Sequence, residues 1–341
     1  MNALVLPNRR IEEWKYTDLH NAVDAEAVSS APTAAWAIAR AQGDLDIDDL
    51  PKQVPFGPHG LMAGLAASLA KAGPSIRVRK GEKASLELDL TESGNGRVLI
   101  VVEEGASLTL IERQVVDGFI NIAAEIEIGK NARVSHLRLV PRGDAVRVAD
   151  YAVIVAAGGT YRAHLADFGG KLSRTELHMV LEGEGAEAHL SGVSILDGVH
   201  ADVTTEMNHA VGNTRSTQLF KYVASGAGRG IYQGKVAVAE GANGSDSRQS
   251  AKGLLLEDRA EIDLKPELEI LADDVKCAHG AAVGDLDAES LFYLRSRGIP
   301  EAEARTLLMR AFIGDAVDQI ESEALRDTVW QAVDKGLEAM S

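Results

Sequence analysis

The chain has 341 residues, 45% of them apolar and 25% charged, with 35 basic against 51 acidic side chains and a formal charge of −16. That length exceeds the roughly 250–300 residues at which a single core stops growing, so two or three structural units are expected. So acidic a surface repels phosphate backbones and anionic lipid, which sets aside general nucleic-acid and membrane-surface binding.

The longest wholly apolar run is Ala152 to Ala157, and Leu61 to Ala70 is broken by Gly64 and Ser68. Both fall far short of the ~18 residues of a membrane-spanning helix. Met1 to Trp14 carry Arg9, Arg10, Glu12 and Glu13 before any apolar run, the wrong order for a secretory signal, so a cytoplasmic chain is expected. Cys277 is the one cysteine. It cannot form an internal disulfide, and the chain alone cannot supply the four thiolates that usually hold an iron–sulfur cluster.

Residues 1–73 read as a helical unit, with Asn8 as an N-cap ahead of Ile11, Trp14 and Tyr16, and Leu61, Leu65 and Leu69 at i, i+4, i+8 before Pro74. Between the helical stretches, Pro32, Pro51, Pro55 and Pro58 punctuate a segment whose acidic run Asp44 to Asp49 reads as a solvated loop. Across 74–285 the period becomes alternating, as in Leu86, Leu88, Leu90 and Leu108, Leu110. Gly81, Gly105 and Gly129 recur every 24 residues, and turn-like Gly/Asn clusters follow near Gly158, Gly185, Gly212, Gly226 and Gly241. So many short strands without helices fit a sandwich, a barrel or a stacked coil. The 24-residue repeat favours a parallel β-solenoid, whose rungs bury their inward faces by stacking.

Residues 286–341 return to helical spacing. Asp287 caps a helix through Leu291, Phe292 and Leu294 that Gly298 ends, and Pro300 opens the next. Ala304, Leu307, Leu308, Ala311, Phe312, Ala316, Val317 and Ile320 share one side of that helix, and Ser322 caps a last one holding Leu325, Val329, Trp330 and Val333. Such a stripe either packs on its own domain or docks a partner.

Nucleotide motifs fail on context. Gly226-Ala-Gly228-Arg-Gly230 precedes a strand-like run where a helix should open, and Gly234-Lys235 lacks the first glycine and the hydroxyl of a phosphate loop. His136, His164, His178, His189, His200 and His209 have no zinc-site spacing, so ordinary hydrogen bonding is expected of them, although stacked rungs could gather some. No nucleophile elbow is present, and Glu182, Glu184 and Glu187 as sugar-cleaving carboxylates are compositional candidates only, better read as a solvated turn. In Asp273-Asp-Val-Lys-Cys-Ala-His-Gly280, Cys277 and His279 lie at i and i+2 and share one side of an extended chain. Both can bind soft metal or sulfur, with Lys276 placed to lower the thiol pKa. A lone cysteine is more often a small buried apolar group.

Three strings carry a resemblance: Lys265-Pro-Glu-Leu-Glu-Ile270, Asp273 through Gly284, and Leu291-Phe-Tyr-Leu-Arg-Ser-Arg-Gly-Ile299. They resemble the SufB/SufD family of iron–sulfur cluster assembly proteins, and Arg9-Arg-Ile-Glu-Glu-Trp-Lys-Tyr-Thr-Asp-Leu19 is similar to the amino-terminal motif of its SufD branch. The resemblance implies a mainly β protein, a right-handed parallel β-helix core flanked by α-helical N- and C-terminal domains. It implies a non-catalytic scaffold subunit that pairs with SufB through the core ends, docks the ATPase SufC on its helical domain, and assists iron acquisition. A transient iron–sulfur cluster or iron would sit at the SufB interface, with His279 the first candidate ligand and Cys277 the second. Ala278 stands where the branch often has Ser, which removes a hydroxyl. SufC contact is expected from Phe312, Ile313, Val317 and Ile320, with Arg310 orienting it. Open solenoid edges also allow the isolated chain to pair with itself.

Overall fold

The computed structural model describes residues 4–51 and 60–340; Met1, Pro55 and Pro58, which entered the sequence reading, lie outside them. Two nine-stranded sheets face each other. One stacks β1 (Ala35–Gly43), β4 (Lys83–Glu92), β6 (Ser107–Gln114), β8 (Arg133–Val140), β10 (Thr160–Asp167), β12 (Glu187–Asp197), β14 (Arg215–Ser225), β16 (Asp246–Leu255) and β18 (Lys276–Gly284), in that order. The other runs from β2 (Leu45–Asp49) and β3 (Pro74–Val78) through β5 (Gly94–Val102), β7 (Phe119–Ile128), β9 (Val146–Val155), β11 (Leu172–Leu181) and β13 (His200–His209) to β15 (Arg229–Val238) and β17 (Glu261–Ile270). From β3 onward every pair is parallel and successive strands alternate between sheets, which makes a β-solenoid of about eight turns. This removes the sandwich and barrel alternatives.

A rung takes 24 residues between Lys83 and Ser107 and lengthens to 31 between Arg215 and Asp246, which is why the repeat fades along the sequence. One corner is held by a column of left-handed residues, Gly81, Gly105, Asn131, Gly158, Gly185, Asn213 and Gly244. Each of these donates its N–H to a carbonyl one rung on, as Gly105 does to Lys130 at 2.8 Å. Only Gly, or Asn with its short polar side chain, adopts that conformation cheaply.

The inward faces form one continuous apolar core, including Leu86, Leu108, Ile126, Val134, Leu181 and Met207. The outward faces are covered too. On the β4–β18 sheet, Leu137, Ala166, Val193, Ile195, Val223 and Leu254 pack under α5 (Glu301–Val317) and α6 (Glu323–Glu338). On the opposite sheet, Val146, Val148 and Leu172 meet Leu6, Trp14, Leu19, Val28 and Met62 from the amino-terminal segment, which includes α1 (Leu19–Ala22), α2 (Ala25–Ser30) and α3 (Leu61–Leu69). Strands buried on both faces lose clean alternation, as in Leu137 between His136 and Arg138, all buried.

Capping follows the sequence at three places. Asp287 accepts from the Ser290 N–H at 2.9 Å to start α4 (Ala288–Ser296), Gly298 ends that helix at φ +88°, and Ser322 caps α6. The expected loop at Asp44 to Asp49 is instead a bend at Asp44 followed by β2, antiparallel to β3, while β1 is antiparallel to β4. Together they form the first end of the stack. Acidic residues there keep that terminal ribbon from pairing further, so the charge run that suggested a loop marks an edge. Among the described residues no helix is long and apolar enough to cross a membrane.

Candidate functional site

The two ends of the solenoid differ. The first ends in two antiparallel strands and the last in two parallel ones; among the described residues β1, β2, β17 and β18 each pair on one side only. Pro266 sits in β17 without loss, because a terminal strand needs no further N–H donor on its open side. Inward-facing Ile270 and Val283 of this last rung have no rung above them and stand exposed, as does Leu271 just beyond β17.

Cys277 and His279 belong to that face. In register they neighbour Ser247 and Gln249, both buried in the interior, so the pair shares one side as the i, i+2 spacing requires. Cys277 is half-buried against the core and His279 is exposed. A polar file leads toward them through the interior. Thr205 donates to Gln218 Oε1 at 2.7 Å, Tyr232 donates to the same atom at 3.0 Å, and Gln249 Nε2 donates to the Tyr232 hydroxyl at 2.9 Å. Burial pushes the Cys277 thiol up, with the Ser247 backbone opposing and Asp246 adding to the shift. The lowering expected from Lys276 is absent from this balance, because adjacent residues of an extended strand point to opposite faces. One thiol and one imidazole make half a donor set for a transition metal, which takes four.

The expected docking residues separate. Ile313, Val317 and Ile320 are buried under the helical unit, covering the outward row of the sheet. They are core, because that row of apolar side chains itself needs a cover worth about 1.5–3 kcal/mol per buried side chain. Phe312 is half-buried with Lys221 Nζ 4.4 Å from its ring centroid. Arg310 pairs with Asp334 and stacks on Trp330, its guanidinium 4.3 Å from the ring centroid. The large apolar side chains that stand exposed on α4 and α5 are Phe292 (73%), Tyr293 (56%) and Leu307 (43%), of which the sequence reading places Leu307 in the apolar stripe.

Most of the histidines do what was expected of them. His164 Nδ1 lies 2.8 Å from Ser191 Oγ, His189 Nδ1 2.8 Å from Thr217 Oγ1, and His209 bonds to both Thr214 and Ser216. Burial holds His164 down at about 3. A histidine depressed in this way supports the fold above its unfolded value near 6.5 and loses that support as pH falls toward 3. Its share of stability is expected to drop by roughly 2 kcal/mol between pH 6.5 and 5. Denaturant titrations of His164→Gln should show a correspondingly flatter acid limb; parallel limbs would contradict this. Glu182 and Glu184 are exposed at a turn and Glu187 pairs with Arg215, a solvated arrangement. Gly234 and Lys235 lie mid-strand in β15.

His178 is the exception. Its ring faces Asp150, Glu176 and Glu206, which against the opposing effect of burial push it up to about 11. Sequence spacing missed this group because its members come from different rungs. Only the parallel register, in which Asp150 neighbours Glu176, could have found it.

Fold and site together define a class: a long parallel solenoid that ends in antiparallel strands at one side and in a bare parallel rung at the other, with a thiol–imidazole pair on that last rung. Residues 87–312 match the family described as SUF system FeS cluster assembly, SufBD core domain, and the chain belongs to that family. It is 36% identical over 253 residues to an iron–sulfur cluster assembly SufBD family protein of Synechocystis, covering 70% of this chain and 55% of that one. With the iron–sulfur cluster assembly protein SufD of Escherichia coli it shares 28% over 370 residues, 95% of this chain and 88% of the other. The chloroplastic protein ABCI7 of Arabidopsis thaliana is 32% identical over 275 residues, 77% of this chain and 57% of that one. The chain thus spans little more than half the length of two of these relatives.

Proposed function

We propose that this chain is the SufD-type scaffold subunit of an iron–sulfur cluster assembly complex, not an enzyme. Its open rung would pair with the corresponding end of a SufB chain, and the joint would hold the nascent cluster or its iron as cargo. The observation that carries this reading is the uncapped last rung. Apolar inward residues and two unpaired strand edges are left exposed there, beside a donor pair that needs ligands from another chain. In this reading His279, the exposed donor, binds metal first, which also gives the chain a part in iron acquisition. Cys277, its thiol held protonated, joins once a cation lowers its pKa.

The test is metal loading on the intact complex. Co-expressed with SufB and SufC, the His279→Ala chain should assemble normally but carry at least fivefold less iron and acid-labile sulfide than wild type. Equal loading would reduce the subunit to passive support of SufB.

ATP hydrolysis belongs to SufC in this scheme, and the docking surface is assigned to the exposed apolar group on α4 and α5. The Phe292→Asp chain should keep its circular dichroism spectrum, since the ring touches solvent, yet lose SufC in co-purification by tenfold or more. Retained SufC would return the contact to Phe312 and Arg310.

A further inference from the structure

The outer face of the β3–β17 sheet carries a second constellation, away from the open end. Asp150 on β9 and Glu176 and His178 on β11 each offer one donor atom, all within 4.8 Å of one another. His178 Nε2 lies 3.5 Å from Asp150 Oδ2 and 3.5 Å from Glu176 Oε2. A charge-assisted N–H···O bond closes to about 2.7–2.9 Å. The edge of a coordination tetrahedron built on bonds of about 2.1 Å is about 3.4 Å, and the observed separations fit that edge. Gly60, at the start of α3, donates its N–H to Asp150 Oδ2 at 2.9 Å. A Cβ at Gly60 would press on Asp150 Oδ2 and lie 3.0 Å from Glu176 Oε2, so only glycine lets the backbone approach both carboxylates this closely.

A second observation is independent of these three residues. Glu125, on the adjacent strand β7, has a side chain 1% exposed; its Oε1 pairs with Arg97, while its Oε2 accepts no hydrogen bond among the described residues. Burial pushes its carboxyl up and the charge of Asp150 adds to the shift, so the two carboxylates share one low-dielectric region.

We propose that Asp150, Glu176 and His178 form a binding site for a divalent first-row metal such as Mn2+, Fe2+ or Zn2+ beneath the start of α3. One imidazole nitrogen with two carboxylate oxygens is a donor set these ions share. The ion ties the amino-terminal helices to the solenoid by bridging β9 and β11 where Gly60 meets Asp150. The site stands apart from the open rung and does not depend on the reading of that rung.

Equilibrium dialysis of the chelator-treated full chain against Mn2+ alone and Zn2+ alone tests it, with Cys277→Ser/His279→Ala as the parent to remove the end donors. That parent is expected to bind one equivalent of at least one of the two metals, and Asp150→Asn or His178→Gln to weaken binding tenfold or more. Absence of one-equivalent binding in the parent, or affinity unchanged within twofold in both variants, overturns the site. Where a variant fails to fold by circular dichroism, Mn2+ titrated into the parent chain labelled at histidine decides. Selective broadening of the His178 ring signals supports the site, and undisturbed His178 signals overturn it.

Discussion

Replacing Arg174 by alanine is expected to cost about 3–5 kcal/mol of unfolding free energy, the range for removing one partner of a buried ion pair. The guanidinium is fully buried and uses its whole fork. Nε donates to Glu176 at 2.7 Å, one terminal nitrogen bonds Asp202, and the other donates to the Glu13 carbonyl at 2.7 Å. Its face lies 4.3 Å from the Trp14 ring centroid. Truncation leaves Asp202 buried without its cation and Glu176 with His178 alone, and it removes the tie between the amino-terminal segment and the sheet. Lysine would not rescue it, because a single ammonium cannot replace a planar fork.

Two measurements follow. Denaturant titration reads the loss, and limited proteolysis should cut the variant first within its amino-terminal segment. A loss under 1 kcal/mol with unchanged proteolysis would show that the network is dispensable. The pH dependence carries a sign as well. Burial works to raise the Glu176 carboxyl, but Arg174 and His178 hold it down at about 2 from the ordinary 4.5. That group supports the fold above pH 4.5 and loses its support as pH falls toward 2. Without Arg174 this acid limb should shrink.

The second large effect lies inside the solenoid. Arg138, buried, donates from Nε to the Tyr151 hydroxyl at 2.9 Å and from Nη1 to Thr175 Oγ1 at 2.9 Å, and its Nε stands 3.6 Å from Glu112 Oε1. Tyr151 in turn donates to Glu112 at 2.7 Å. Although burial opposes ionisation, His136 and Arg138 keep the Glu112 carboxyl below its ordinary value, so a charge is held within the core. Arg138→Ala is therefore expected to cost about 3–5 kcal/mol, while the paired change Glu112→Gln with Arg138→Met should cost less than the single one. If the double variant is the less stable of the two, the charge pair is not what the interior depends on.

Particular residues show how far the sequence carried. Gly81 and Gly105 announced the rung, because a corner that must be left-handed admits few residue types and they recur wherever the chain turns. The signal weakened when Asn131 and Asn213 took the same corner and the rungs lengthened. Asp287, Gly298 and Ser322 marked helix ends through local hydrogen bonding alone. Cys277 and His279 were legible as a pair since extended backbone puts i and i+2 on one side. Asp44 to Asp49 misled, because a charged terminal strand and a solvated loop have the same composition. Ile313 and Val317 were legible as an apolar stripe, but a stripe does not say what covers it.

By itself, then, the sequence determined the three kinds of segment, the caps, the donor pair and the strings that place the chain in its family. Those features depend on backbone conformation and near neighbours. The tertiary structure decided that one end of the stack is antiparallel and the other parallel, that the helices clasp the broad faces of the sheets, and that Asp150, Glu176 and His178 meet. Each of these depends on register between strands a full rung apart, where residues some 26 positions distant become neighbours through stacking that no local pattern encodes.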